Sequence, residues 1–339
     1  MKKGLLVMLS IMLLLSVVLA GCGGSTSTST DEKPKTIKVA NYFADDHPQN
    51  IALLEKFKPM VEEKSGGKLK VEIYSNSKLG AEQEFTDGVR NGTIEMGIPG
   101  MILQSSMATL GVPEWPFLFE SYTHANKVLN GPIGDELTEG MVEQFGVRPL
   151  AWSANGFRVV SSNRPIKSME DFKGFRLRMP NIPNYIEMGQ LWGANVTPMA
   201  ISEVFTGLEQ KVIDGQDNPY ATLVASGWHE VQSNVLQSYH MFSPNLYIIN
   251  EKFWQSLTPE QQEIVAQASK EAADYEWQLL ESKEEELKKF LEEKGLEITI
   301  PSDELKQQLK DSVKPMYDRF YKDYDWAKDL VERIAAEAK

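Results

Sequence analysis

The feature that most constrains this fold is a helical pattern that runs unusually long. Thr258-Pro259-Glu260-Gln261 is a capping box with proline at the first helical position. Helical periodicity then continues to Gly295, an end signal. At 1.5 Å per residue such a helix is about 55 Å long, enough to cross two domains rather than serve one. Its Glu/Lys-rich stretch from Glu281 to Lys294 reads as a solvated face carrying i,i+4 pairs.

The remaining chain alternates strands with helices. Thr36–Ala40, Leu69–Tyr74 and Glu95–Ile98 read as strands, with helices over Pro48–Ser65 and Ala81–Asn91 between them. Arg148–Trp152, Phe157–Ser161 and Phe175–Arg178 are strand-like, and Pro183–Leu191 and Ser202–Glu209 are helical. Val212-Ile213-Asp214-Gly215 reads as a brief strand and turn, and two more helices are expected from Ser302. This alternation predicts an α/β fold with mainly parallel sheets.

The amino terminus gives an address. Lys2 and Lys3 precede an apolar run, Gly4 to Leu19, of about sixteen residues, which is short for a membrane span and suited to a signal-peptide core. It ends in Leu19-Ala20-Gly21-Cys22, which resembles the bacterial lipobox, where the cysteine is lipidated and the peptide is cut before it. The expectation is a signal peptide over 1–21, a lipid on Cys22 and an extracytoplasmic location at the membrane surface. Residues 22–35, rich in Gly, Ser and Thr, read as a flexible tether. Cys22 is the only cysteine, so no intramolecular disulfide forms and stability must come from burial. Roughly 300 residues then remain, more than one core usually serves.

The chain carries 35 basic and 48 acidic residues, a net charge of −13, and loss of Lys2 and Lys3 makes the balance more negative still. That excludes a nucleic-acid partner, which needs a basic patch. It also repels anions in general, so recognition of an acid must rest on local, buried cations. Enzyme signatures are missing. His229-Glu230 begins like HExxH, but Ser233 stands where the second histidine belongs. There is no GxSxG, Walker A or GxGxxG motif, and no pair among the four histidines has metal-ligand spacing. The expectation is a non-enzyme without cofactor or metal.

Three segments carry the chemistry: Asn155-Gly156-Phe157-Arg158, the run from Phe172 to Pro180, and Ile213 to Pro219. In the second, Phe175 and Leu177 alternate with Arg176 and Arg178, so both arginines leave one face of the strand. Pro180 stops the strand beside Arg178 and places that side chain where α/β sheets bind ligands. Asn218 before Pro219 is by default a turn residue.

GFRVVSSNRPI, FKGFRLRMP, ANVTPMAISEVFTGLEQKVIDGQDNP and SGGKLKVEIYSNSKLG together resemble the solute receptors of TRAP transporters, the DctP-type family. The likeness runs from about Thr36 to the C-terminal helices, nearly the whole chain after the tether. It implies a two-lobed, periplasmic-binding-protein-like α/β fold with a ligand cleft: lobe one from 36–155 and 244–283, lobe two from 156–243 and 284–339. It also implies that Arg178 clamps a ligand carboxylate in a bidentate pair, that Arg158 assists, and that Asn218 donates to the same group. By the same likeness Glu84 is placed to bind ligand hydroxyls, and His47, at the start of the first helix, is expected to face the cleft. Gly100 and Ile201 depart from the sialic-acid receptors of the family, and VPEWPFLFES and LAWSANGFR are closer to receptors for uronates and related sugar acids.

The expected function is therefore capture of a small carboxylate, a sugar acid such as a uronate favoured, for delivery to a membrane permease. A C4-dicarboxylate or keto-acid receptor, a receptor presenting its ligand to a signalling kinase, and an exported lyase or hydrolase are the alternatives. The reading requires Arg158 and Arg178 to stand close together and unneutralised by internal acids.

Overall fold

A computed structural model describes residues 33–338. The signal peptide, the lipidation site Cys22 and nearly all of the tether lie outside the described residues. The first strand begins at Lys35, inside the segment read as tether.

Two mixed sheets organise the chain. The first holds β1 (Lys35–Ala40), β2 (Leu69–Tyr74), β3 (Met96–Gly97), β4 (Val147–Phe157) and β10 (Phe242–Asn250), in the order β2-β1-β3-β10-β4. The second holds β5 (Val159–Ser162), β6 (Arg176–Met179), β7 (Asn195–Pro198), β8 (Gly215–Asn218), β9 (Asn234–Leu236) and β11 (Glu297–Thr299), in the order β11-β9-β5-β8-β6-β7. Pairs joined by helical connections are parallel, such as β1 with β2 and β6 with β7. Antiparallel pairs arise where the chain passes between sheets: β4 lies against β10, and β5 against both β8 and β9. The expected predominance of parallel strands is thus diluted by the crossing segments.

The expected pair Arg148–Trp152 and Phe157–Ser161 turns out as one long strand, β4, followed by β5 after a break at Arg158. Near that break β4 bulges. Gly156 pairs with Ser243 and Ala154 with Pro244, so Asn155 is left over. Gly156 adopts φ +115°, and a Cβ there would stand 2.6 Å from the Tyr122 hydroxyl, so only glycine fits the bend. Gly215-Gln216-Asp217-Asn218 is not a turn but a fully buried strand, β8.

The long helix spans Pro259–Glu293, 35 residues, and Thr258 caps it as expected: its hydroxyl accepts from Gln261 N and its own N donates to the Gln261 side chain. Its buried face changes company along its length. Val265, Ala268 and Ala272 pack with Ile37, Val39 and Tyr247 of the first sheet. Trp277 and Leu280 enter the central core, and Leu291 packs with Val159 and Val235 of the second sheet. Three helices follow rather than two: Asp303–Ser312, Lys314–Asp323 and Ala327–Ala336. Among the described residues no helix is long and apolar enough to cross a membrane.

Candidate functional site

β6 shows the expected alternation. Phe175, Leu177 and Met179 are fully buried in the core, while Arg176 is exposed and ion-paired with Asp214. Arg178, near the end of the same strand, lines a cavity and is 3% exposed. The carbonyl of Met199, just past the parallel strand β7, accepts from both its Nε (3.0 Å) and its Nη2 (2.7 Å). One edge of the guanidinium is thereby fixed, and the Nη1/Nη2 edge remains for a ligand. Among the described residues no carboxylate lies within ion-pair distance of Arg178. Burial pulls its pKa down to about 10, and the Arg158 charge adds to that shift.

Arg158 lines the same cavity, as the likeness implied, but it is not unneutralised. Its Nε donates to Asp217 Oδ2 at 2.7 Å and its Nη2 to the Asp217 carbonyl. Its Nη1 reaches Ser243 Oγ at 3.2 Å, and the guanidinium lies over the Tyr185 ring, 4.9 Å from the centroid. Burial disfavours both charges, yet their mutual attraction outweighs it: Asp217 is held well below the ordinary carboxylate range and Arg158 above its own. The expectation of two free cations therefore stands corrected for Arg158. The buried pair with Asp217 offsets the desolvation of the Arg158 charge and leaves Arg178 as the cation without an ion-pair partner among the described residues. His240 Nε2 stands 3.4 Å from Asp217 Oδ2, while Oδ1 has no partner among the described residues.

Asn218, at the end of β8, also faces the cavity, its amide held by Gln216 Oε1 at 2.8 Å. Asn155 faces it from the bulge of β4, and Ser243 from β10.

The lining is also acidic. Glu82, the first residue of the helix Glu82–Asn91, turns its carboxylate inward to accept from Gly100 N at 2.8 Å. Glu114 is 2% exposed and accepts from Tyr185 Oη at 2.7 Å and Gln104 Nε2 at 2.8 Å. Burial, with repulsion from Glu114, pushes Glu82 up to about 7. Burial also pushes Glu114 up to about 7, with Asp217 adding to it against several lowering contacts. Tyr42 lines the cavity as well, its phenol raised by burial and by Glu82.

Two sequence-derived site residues fall elsewhere. Glu84 is exposed and turns back to accept from Ala81 N at 2.9 Å, capping its own helix. Two residues along a helix differ by about 200° of rotation, so Glu82 takes the cavity and Glu84 does not. His47 is buried outside the cavity lining. Its Nδ1 accepts from Gln49 N (3.1 Å), its ring stacks on Phe43, and its Nε2 meets Thr222 Oγ1 at 3.3 Å. Burial lowers its pKa to about 3, so it is a neutral cap rather than a ligand contact. Ile201, where the chain departs from the sialic-acid receptors, also lines the cavity.

Two sheets, a helix shared between them and a buried polar cavity holding an uncompensated arginine define a class: binding receptors that enclose a small solute. The family description "Bacterial extracellular solute-binding protein, family 7" (DctP) matches residues 39–323. The 2,3-diketo-L-gulonate-binding periplasmic protein YiaO of Escherichia coli is 32% identical over 289 residues, covering 84% of this chain and 87% of its own. A TRAP periplasmic solute binding protein from Haemophilus influenzae, solved with bound L-gulonate, is 44% identical, with a TM-score of 0.86 over 90% of this chain and 100% of its own. One from Roseobacter denitrificans, solved with bound L-galactonate, is 34% identical, with a TM-score of 0.78 over 82% of this chain and 93% of its own. The chain belongs to the DctP family, the extracytoplasmic solute receptors of TRAP transporters; it is a receptor and not an enzyme.

Proposed function

We propose that this receptor captures a sugar acid, clamps the carboxylate on Arg178 and hands the closed complex to a membrane permease. The observation that carries the reading is the free edge of Arg178, aimed into a cavity whose other cation is already matched by Asp217. A guanidinium edge and a carboxylate form two parallel charge-assisted hydrogen bonds, each contributing about 1.5–3 kcal/mol net. Asn218 and Arg158 line the same cavity as further donors. Glu82, Glu114, Tyr42 and Asn155 offer the mixed donors and acceptors that hydroxyls need. Relatives solved with L-gulonate and L-galactonate support a polyhydroxy acid.

The contacts come from both sheets, so ligand draws the two halves together by hinge closure. We take the halves to be the lobes 36–155 with 244–283 and 156–243 with 284–339. The chain is held at the membrane by a lipid on Cys22 after removal of 1–21; Cys22→Ser should release it into the soluble fraction, and retention of that variant in the membrane would remove the anchor.

Thermal shift with L-gulonate, L-galactonate and uronates, beside the matching alditols, tests the core of the proposal. An acid at a hundred times its Kd stabilises by about 2.7 kcal/mol. Equal stabilisation by the alditols, or none by any sugar acid, overturns it.

A further inference from the structure

We infer that Glu82 and Glu114 form a proton-holding wall which restricts this receptor to acids with a single carboxylate and couples their capture to proton uptake. The inference rests on the sugar-acid reading above and asks what the rest of the cavity does to a second negative charge.

Charge balance carries it. Arg158 and Arg178 face Asp217, leaving one positive charge in the cavity, which one ligand carboxylate cancels. Glu82 and Glu114 then have no cation left to match them. Glu82 accepts from a backbone N–H, and Glu114 from a phenol, an amide and, at 3.4 Å, the Ser243 hydroxyl, all neutral donors; the Arg158 and Arg178 charges act on them only from beyond ion-pair distance. Glu114 is buried and Glu82 half-buried, and a carboxylate withdrawn from water without a cationic partner prefers its protonated form. Burial already raises both acids to about 7, so ligand charge shifts groups that are poised to take protons.

No neighbour competes for that role near neutral pH. Asp217 is held ionised by Arg158, and His240 behind it is kept neutral by burial. Tyr42 and Tyr185 are both raised above the ordinary phenol range. Arg178 stays charged at about 10.

Hydroxyls are indifferent to the state of the wall, because a hydroxyl donates to a carboxylate and accepts from a carboxylic acid. A second carboxylate is not. Facing Glu82 and Glu114 it must itself take a proton or stay unpaired in a closed site, at a cost of several kcal/mol. Gly100 keeps the wall in place: a Cβ there would stand 3.2 Å from Glu82 Oε1 and 3.4 Å from the Tyr42 hydroxyl.

The experiment is calorimetry with L-gulonate and the corresponding hexaric diacid, in two buffers of different ionisation heat. The expected result is net proton uptake with L-gulonate at neutral pH and affinity that falls as pH rises from about 6 to about 8. The diacid should bind at least about tenfold more weakly. In Glu82→Gln and Glu114→Gln the uptake should shrink and the pH profile flatten. Tight L-gulonate binding with no proton uptake, or a diacid that binds as well as L-gulonate, overturns the inference and leaves the receptor reading standing. Failure to bind any sugar acid overturns that reading, and this inference with it.

Discussion

Arg178 is aimed by a main-chain oxygen. Because Met199 O holds one edge of the guanidinium, a lysine at 178 would keep the charge but lose both that anchor and the fork. Arg178→Lys should weaken sugar-acid binding by about a hundredfold or more, read by calorimetry, and Arg178→Ala should abolish it. Glu84→Ala makes the contrast. It removes only a helix cap, so affinity should hold while stability drops by about 1 kcal/mol in urea. Arg178 was legible because alternation and Pro180 are both local signals. Its neighbours were less so. Asp217 pairs with Arg158 across 59 residues of sequence, and nothing in DGQDNP announces which acid faces inward. Glu84 rests on the family likeness alone, and the structure turns the neighbouring Glu82 rather than Glu84 toward the cavity.

At the scale of elements, the bulge at Asn155 is the joint to watch. Ala154 N, beside it, donates to Glu276 Oε2 at 2.9 Å from the long helix. Glu276 is fully buried, its other oxygen has no partner among the described residues, and burial raises its pKa far above the usual carboxylate range. It therefore acts as a neutral acid bracing the bend of β4. Glu276→Ala should cost about 2–4 kcal/mol by leaving a buried N–H unpaired and a void behind it, whereas Glu276→Gln keeps the acceptor and should be tolerated. The long helix and Pro183–Leu191 were legible because proline and capping residues mark their starts. β8 was not. A strand reading Gly-Gln-Asp-Asn looks like a turn, and only the partners that satisfy its buried side chains make it a strand: Arg158 for Asp217, Ser161 for Gln216.

For the whole molecule, buried acids and a buried histidine shape stability against pH. Glu82 and Glu114, both raised to about 7, keep protons in the folded state that the unfolded chain releases in the ordinary carboxylate range. The folded state then binds more protons, so stability falls as pH rises across that window. His47, lowered to about 3, works the other way: the unfolded state takes up the proton first, and stability falls as pH drops from the ordinary histidine range. Melting temperatures of Glu114→Gln minus wild type should grow from about pH 5 to about pH 8; a flat difference would show that Glu114 ionises freely. Two halves were legible from chain length and the long helix, but their interleaved strands came only from the family resemblance. The helix Pro259–Glu293 has its own consequence. Ala268 seals one core and Leu291 another, so neither half can melt without stripping a wall from its neighbour. Differential scanning calorimetry should record a single endotherm whose van't Hoff and calorimetric enthalpies agree, although a protein with two separate cores would show two.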